Sequence, residues 1–349
     1  MNTKTRQTNI ELLRIIACFA VVFCHVVAEY RYKMDYQDTV WQVSQFYYNL
    51  TPFHVPTFFA INGCFLFRSE IDASKIKKKI LPLVIILVFW SVVYAAMRLL
   101  ASNFSIGNPE KLVANFSFLA ISAALIKGAY HLWFLYALIG IYLVSPFLDA
   151  IRKSGRKWIE YFLILSLLFA FLLPDIFSFF QLTNVATIVE RMNIKMVWGY
   201  VSYTLLGYYL ITYRDNIISK HAKPIFIMML GLWIANAFLN VYFLSHSNRA
   251  YPMTTLIALF TCAIMAFFIE CVPVKSKILQ MKMGGVPTLG IFLIHPALIY
   301  GMTSIGVTYR VFQAYPIIGM VALSIVIYLL SLACSLIMMK IPFLRKVVS

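Results

Sequence analysis

Residues 9–29 read NIELLRIIACFAVVFCHVVAE, an apolar run interrupted by Glu11, Arg14 and His25 and closed by Glu29. A helix needs roughly 20 apolar residues to cross the hydrocarbon core of a bilayer, so this run is long enough to span. No small-residue cleavage site follows it, and it holds Arg14 and His25 in its interior. It therefore reads as a retained helix and not as a signal peptide. Nine further runs follow, at about 46–67, 80–101, 131–150, 158–174, 196–213, 224–244, 253–272, 287–306 and 315–338. The stretch 113–127 is more polar and reads as an interfacial or re-entrant piece.

Composition supports the same reading. The 349 residues are 62% hydrophobic and 12% charged, with a mean hydropathy of +0.82. Soluble domains are about 45–50% apolar and about 25% charged, which excludes a soluble enzyme or a soluble nucleic-acid-binding module. The expected fold is all-α: a polytopic transmembrane bundle of about ten helices forming one domain over residues 1–349.

The net charge of +17 follows the loops. With both termini assigned to the cytoplasm, 20 of the 30 Lys and Arg fall in the termini and the loops on that side. Positive residues mark cytoplasmic loops, so the excess sets orientation and does not indicate nucleic acid. All six cysteines lie in apolar runs, without CxxC or Cys/His spacing, so neither a disulfide framework nor a metal site is expected.

Ionisable groups at membrane depth mark function by default. In the first run Glu11 and Arg14 are three apart, and His25 and Glu29 four apart, so each pair can meet on the helix surface. Arg14 and His25, eleven apart, share a face and stand roughly 16 Å apart along the axis. Three more histidines fall in the middle or outer half of the membrane. His54 precedes Pro56, His131 opens HLWFLYALIGIYLVSPFL, and His295 sits in PTLGIFLIHPALIY. Such a layer suits proton transfer. His221 and His246 read as solvated loop residues. The basic loop RSEIDASKIKKK at 68–79 could bind anionic lipid or seat a phosphorylated cytoplasmic ligand such as coenzyme A. No GxSxG, Walker, HExxH, GxGxxG or DxD motif is present.

The first run resembles the opening of the acyltransferase-3 family of integral membrane acyltransferases, whose mark is an Arg and a His separated by ten residues. Here these are Arg14 and His25, within IELLRIIACFAVVFCH. VPTFFAING at 55–63 is similar to the family's VPLFFxISG-like stretch, and Lys75 through Pro82 to its basic cluster ending in a proline. HLWFLYALIGIYLVSPFL at 131–148, YTLLGYYL at 203–210 and LGIFLIHP at 289–296 resemble its later motifs. Glu11 stands where the family usually has Asp, Asn62 where Ser is usual, and lysines fill 75–79 where arginines are common. The likeness is to compact members without an appended extracytoplasmic domain.

The resemblance implies transfer of an acetyl group from cytoplasmic acetyl-CoA to a hydroxyl of an envelope polysaccharide or lipid-linked glycan, in a bacterial inner membrane and without a metal. It implies His25 as general base oriented by Glu29, and Arg14 holding the donor or the oxyanion. Arg68, Lys75, Lys78 and Lys79 would bind the coenzyme A phosphates, and His54, His131, His295 and Trp133 would line the acceptor side. Three rivals remain: a flippase or transporter for a lipid-linked glycan, the same transfer from another donor such as succinyl-CoA, and a glycosyltransferase using Asp35 and Asp38.

Overall fold

The computed structural model describes residues 3–29, 38–103, 129–247, 254–272 and 285–348, and these are helical throughout with no strand. The elements are α1 (Thr3–Ala28), α2 (Thr39–Asn49), α3 (His54–Leu66), α4 (Ala73–Asn103), α5 (Trp133–Lys153) and α6 (Arg156–Phe180). They continue with α7 (Thr183–Arg191), α8 (Val201–Thr212), α9 (Ala222–Ser247), α10 (Thr254–Glu270), α11 (Thr288–Ser304), α12 (Val307–Ala314) and α13 (Pro316–Met338). The 113–127 stretch lies outside the described residues.

Among the described residues six helices are long and apolar enough to cross a membrane, and α11 with α12, bent by 78°, makes up to seven. The ten apolar runs therefore do not become ten continuous spans. The 46–67 run splits into α2 and α3, because Pro52 has no N–H to give and disfavours helix at Thr51. The 196–213 run keeps only 12 helical residues, because Gly199 adopts φ +76° just before α8. The run at 253–272 forms the 17-residue α10. Short elements are tolerated at membrane depth when protein, and not lipid, surrounds them, and α3 and α8 are mostly buried. Asp38, one of the two acids weighed for a glycosyltransferase, is spent on architecture: it caps α2 by accepting the Val40 N–H at 2.6 Å. Asp35 lies outside the described residues.

Central to the bundle is α1, which packs against α2, α3, α10, α11 and α13. Ile10 and Leu13 in its first half join a core with α3, α5, α6, α8, α9 and α10. Cys18, Val22 and Val26 in its second half join another with α2, α11, α12 and α13. A third core gathers α4, the start of α5 and α11 around Trp90, Leu135 and Leu293. The rim faces lipid: Leu81, Val84, Ile85, Val88 and Val92 of α4 recur at helical spacing and stay exposed.

One crossing is unusually tight. A Cβ on Gly63 of α3 would overlap the Thr204 carbonyl, and a Cβ on Gly207 of α8 would overlap the Ala60 carbonyl. Small residues let membrane helices approach to backbone contact, and here they do so reciprocally. Cys64 adds an Sγ contact to the Gly207 carbonyl at 3.3 Å. The opposite face of α3 presents His54, Val55, Phe58, Ile61, Asn62 and Phe65 at helical spacing, and all six line one cavity.

Candidate active site

The cavity lies where the three cores meet, and its volume is about 370 Å³. It follows α1 from Glu11 and Arg14 past Val21 to His25, fourteen residues or about 21 Å of helix. Its remaining walls come from α3, Leu83 of α4, the segment around His131, Trp133, Phe134 and Leu138, and Thr288, Leu289 and Phe292 of α11. Most of the lining is apolar, with a few polar groups at its two ends, the pattern of a small-ligand site.

At the first end Arg14 pairs with Glu11 at 2.5 Å, one turn back on the same helix. This pairing neutralises the charges that α1 carries into the bundle. It leaves the Arg14 Nε buried without a hydrogen-bond partner. Nearby, the Asn62 Oδ1 accepts from the Tyr142 hydroxyl at 3.0 Å, while its Nδ2 has no partner. Two uncommitted N–H donors thus belong to residues lining this part of the cavity, a donor set suited to carbonyl or amide oxygens of an elongated ligand.

Four histidines gather at the second end. His25 Nδ1 lies 2.8 Å from His295 Nε2, with the rings stacked at 5.0 Å between centroids. The fully buried His295 also places Nδ1 3.0 Å from the Ile291 carbonyl. His54 is held through Nδ1 by the Thr51 carbonyl at the start of α3. His131, just before α5, packs edge-on against Tyr94 at 4.8 Å and lies 6.0 Å from the His295 ring. Both of its ring nitrogens are buried and unbonded. Trp133 stays half exposed at this end and stacks on Tyr200 at 5.5 Å. Among the described residues no three His, Cys, Asp or Glu side chains group as a metal site; the His54 and His295 Nδ1 atoms are turned to carbonyls, and His25 Nδ1 to His295 Nε2.

The structure thus brings Arg14, His25, His54, His131 and Trp133 to one cavity. His295 reaches the site through its contact with His25 and is not among the lining residues. Glu29 is not part of it either; it interacts electrostatically with Tyr130, whose ring packs edge-on against His25 at 5.2 Å. The group that meets His25 Nδ1 is His295.

Arg68, Lys75, Lys78 and Lys79 also lie outside the cavity, close to its Arg14 end. Arg68 sits over the ring of Phe65, a lining residue, at 4.2 Å, and Lys79 over the Tyr142 ring at 5.2 Å. Lys75 is engaged with Asp72 at 3.6 Å and with the Glu70 carbonyl at 2.8 Å. The Lys75 backbone N–H, donated to exposed Asp72, holds that carboxyl below its usual range. Several other cations of these loops are paired: Arg152 and Lys153 with Asp149, Arg156 with Glu160 and Asp215, and Arg214 with Glu270. Arg68, Lys78 and Lys79 make no ion pair among the described residues.

Sequence reasoning missed Tyr142 and the four phenylalanines of the wall, Phe58, Phe65, Phe134 and Phe292. The phenylalanines sit in runs that are apolar on every helical face, so no periodicity separates a cavity wall from a lipid-facing surface.

The comparisons bear on this geometry. The acyltransferase-3 family model, described as an acyltransferase domain, matches residues 7–340. No curated protein and no solved structure matches the chain. The family match extends over every residue that lines the cavity, from Glu11 to Phe292. The chain belongs to the acyltransferase-3 family and is a multi-pass membrane acyltransferase.

Proposed function

We propose that this acyltransferase moves an acetyl group from cytoplasmic acetyl-CoA to a hydroxyl of an envelope polysaccharide or lipid-linked glycan at a bacterial inner membrane. The observation that carries the reading is the single cavity joining the Arg14 end to the histidine end. The positive-loop bias puts the Arg14 end at the cytoplasm. A cavity of about 370 Å³ suits the narrow arm of a thioester donor. The phosphorylated nucleotide then stays outside, beside the exposed Arg68, Lys78 and Lys79, with Lys75 one turn away.

Each residue has a part. Arg14 and Asn62 donate to oxygens along the donor arm. Arg14 and His25 are eleven residues apart on one helix, roughly 16 Å along its axis, so Arg14 holds the donor and does not reach a carbonyl reacting at His25. His25 Nε2 takes the proton of the acceptor hydroxyl as the oxygen attacks the thioester carbonyl. His131, with an uncommitted ring N–H, donates to the oxyanion that forms. The carbon–sulfur bond then breaks, and the proton on His25 passes to the departing thiolate. His54 and Trp133 border the acceptor side.

Mass spectra of envelope glycans test this in the source strain, a deletion strain, and the deletion complemented with wild type or His25→Ala. One acetyl group per repeat is expected to disappear in the deletion and to return only with the wild-type gene. Glycans that keep their acetyl groups but fall in amount or change sides would replace transfer with transport. Loss of a succinyl group instead would change the donor.

A further inference from the structure

His25, the base of the proposed reaction, makes its closest polar contact with a residue that stands outside the cavity. The protons in that contact can be deduced. A carbonyl oxygen only accepts, so the His295 Nδ1 beside the Ile291 carbonyl must carry hydrogen. His295 is fully buried, and a cation there without a counter-charge would be costly. The ring is therefore neutral and its Nε2 is a lone pair. At 2.8 Å from that lone pair, His25 Nδ1 must be the donor, which leaves Nε2 of His25 as its unprotonated nitrogen.

Local sequence builds this arrangement. Pro296 has no N–H, so the Phe292 carbonyl four residues earlier loses its helical partner. It interacts with His295 along with the Ile291 carbonyl. Two backbone dipoles thereby converge on one imidazole, whose Nε2 meets His25 of α1.

The geometry points to His295 as a positioning residue, a deduction that rests on the base role proposed for His25. By accepting the Nδ1–H of His25 it holds the tautomer whose Nε2 is free to act. When that nitrogen takes the acceptor's proton, the positive charge spreads over both rings towards the Ile291 and Phe292 carbonyls. When the thiolate leaves, His25 returns the Nε2 proton and the pair regains its starting state. No atom of His295 meets substrate. The titratable groups around the pair are His54 of α3, His131 and Tyr130 before α5, and Tyr94 of α4, which packs on His131. Glu29 interacts with Tyr130.

Two variants and a spectrum test this in the full-length protein, purified and reconstituted. His295→Leu keeps bulk and removes the acceptor; His295→Gln offers a side-chain oxygen to the same N–H. His295→Leu is expected to lower kcat between about 10- and 10⁴-fold, the upper end being the loss when a catalytic imidazole rests in the wrong tautomer. KM for both substrates should hold, and His295→Gln should recover much of the loss. Solid-state ¹⁵N spectra of labelled histidine should give His25 protonated at Nδ1 in wild type and His295→Gln, and mixed in His295→Leu. Equal losses in two well-folded variants with an unchanged His25 tautomer would overturn the proposal, as would a wild-type His25 protonated at Nε2. The spectrum needs no turnover. If wild type transfers no acyl group while the tautomer responds as expected, the function fails and the pairing stands.

Discussion

The two ends of the cavity are polar for different reasons. At the Arg14 end the ion pair is local: Glu11 and Arg14 sit one turn apart and need only α1. At the other end the polar groups come from α1, α3, α11 and the turn before α5, and the His25–His295 contact joins residues 270 apart in sequence. A charge must be neutralised wherever it is buried, so α1 brings its counter-ion with it. A catalytic imidazole instead needs its free nitrogen aimed, and a partner on the same helix one turn away offers little choice of angle. In the proposed reaction the first end holds the donor and the second moves the proton.

Substitutions sharpen that contrast, beginning with the largest effect. His25→Ala should lower kcat by about 10²–10⁴-fold, the usual contribution of a general base, with KM for the acyl donor little changed in steady-state assays. Arg14→Gln removes a charged donor worth about 1.5–3 kcal/mol, roughly 10- to 150-fold in KM for the donor, and leaves kcat at saturation near wild type. Should both variants change the same kinetic constant, the division between the ends collapses. Arg14→Gln also strands the partly buried Glu11, so Arg14→Gln with Glu11→Gln should melt higher than Arg14→Gln alone.

Gly63→Ala, on the α8 side of α3 next to the wall residue Asn62, should cost about 1–3 kcal/mol through overpacking against α8. A lowered melting temperature with both kinetic constants worsened is expected, since the wall serves donor and acceptor alike. The smallest effects belong outside. Alanine at Arg68, Lys78 and Lys79 together should raise donor KM by up to about 1 kcal/mol per exposed charge, and added salt should shrink the difference from wild type.

The contrast also divides what sequence could reveal. The Arg14–His25 stripe needed only helical spacing, and the apolar runs gave the α-helical membrane class. Where the reading fell short, the causes were local backbone breaks and tertiary packing. Pro52 and Gly199 cut two runs that hydropathy alone joins, leaving α3 and α8 too short to span but sheltered by their neighbours. In sequence His295 is one more histidine of the acceptor layer, since depth is all the sequence assigns; its pairing with His25 depends on how α11 is rotated against α1. The contribution of Tyr142 is hidden for the same reason, because its hydroxyl matters only through Asn62, 80 residues away.

The reciprocal glycine crossing has a mechanical consequence. With Gly63 and Gly207 seated on each other's helix backbone, α3 and α8 can neither slide nor rotate independently, and the α3 wall of the cavity is stiff. The α4 side is compliant by comparison: it gives only Leu83 to the lining, turns one face to lipid, and contains Pro82, which leaves the Lys78 carbonyl without a helical partner. Breathing of the cavity is therefore expected along α4, which is where the arm of the proposed donor would enter. Paired spin labels should record wide distance distributions from α1 to α4 and narrow ones from α3 to α8.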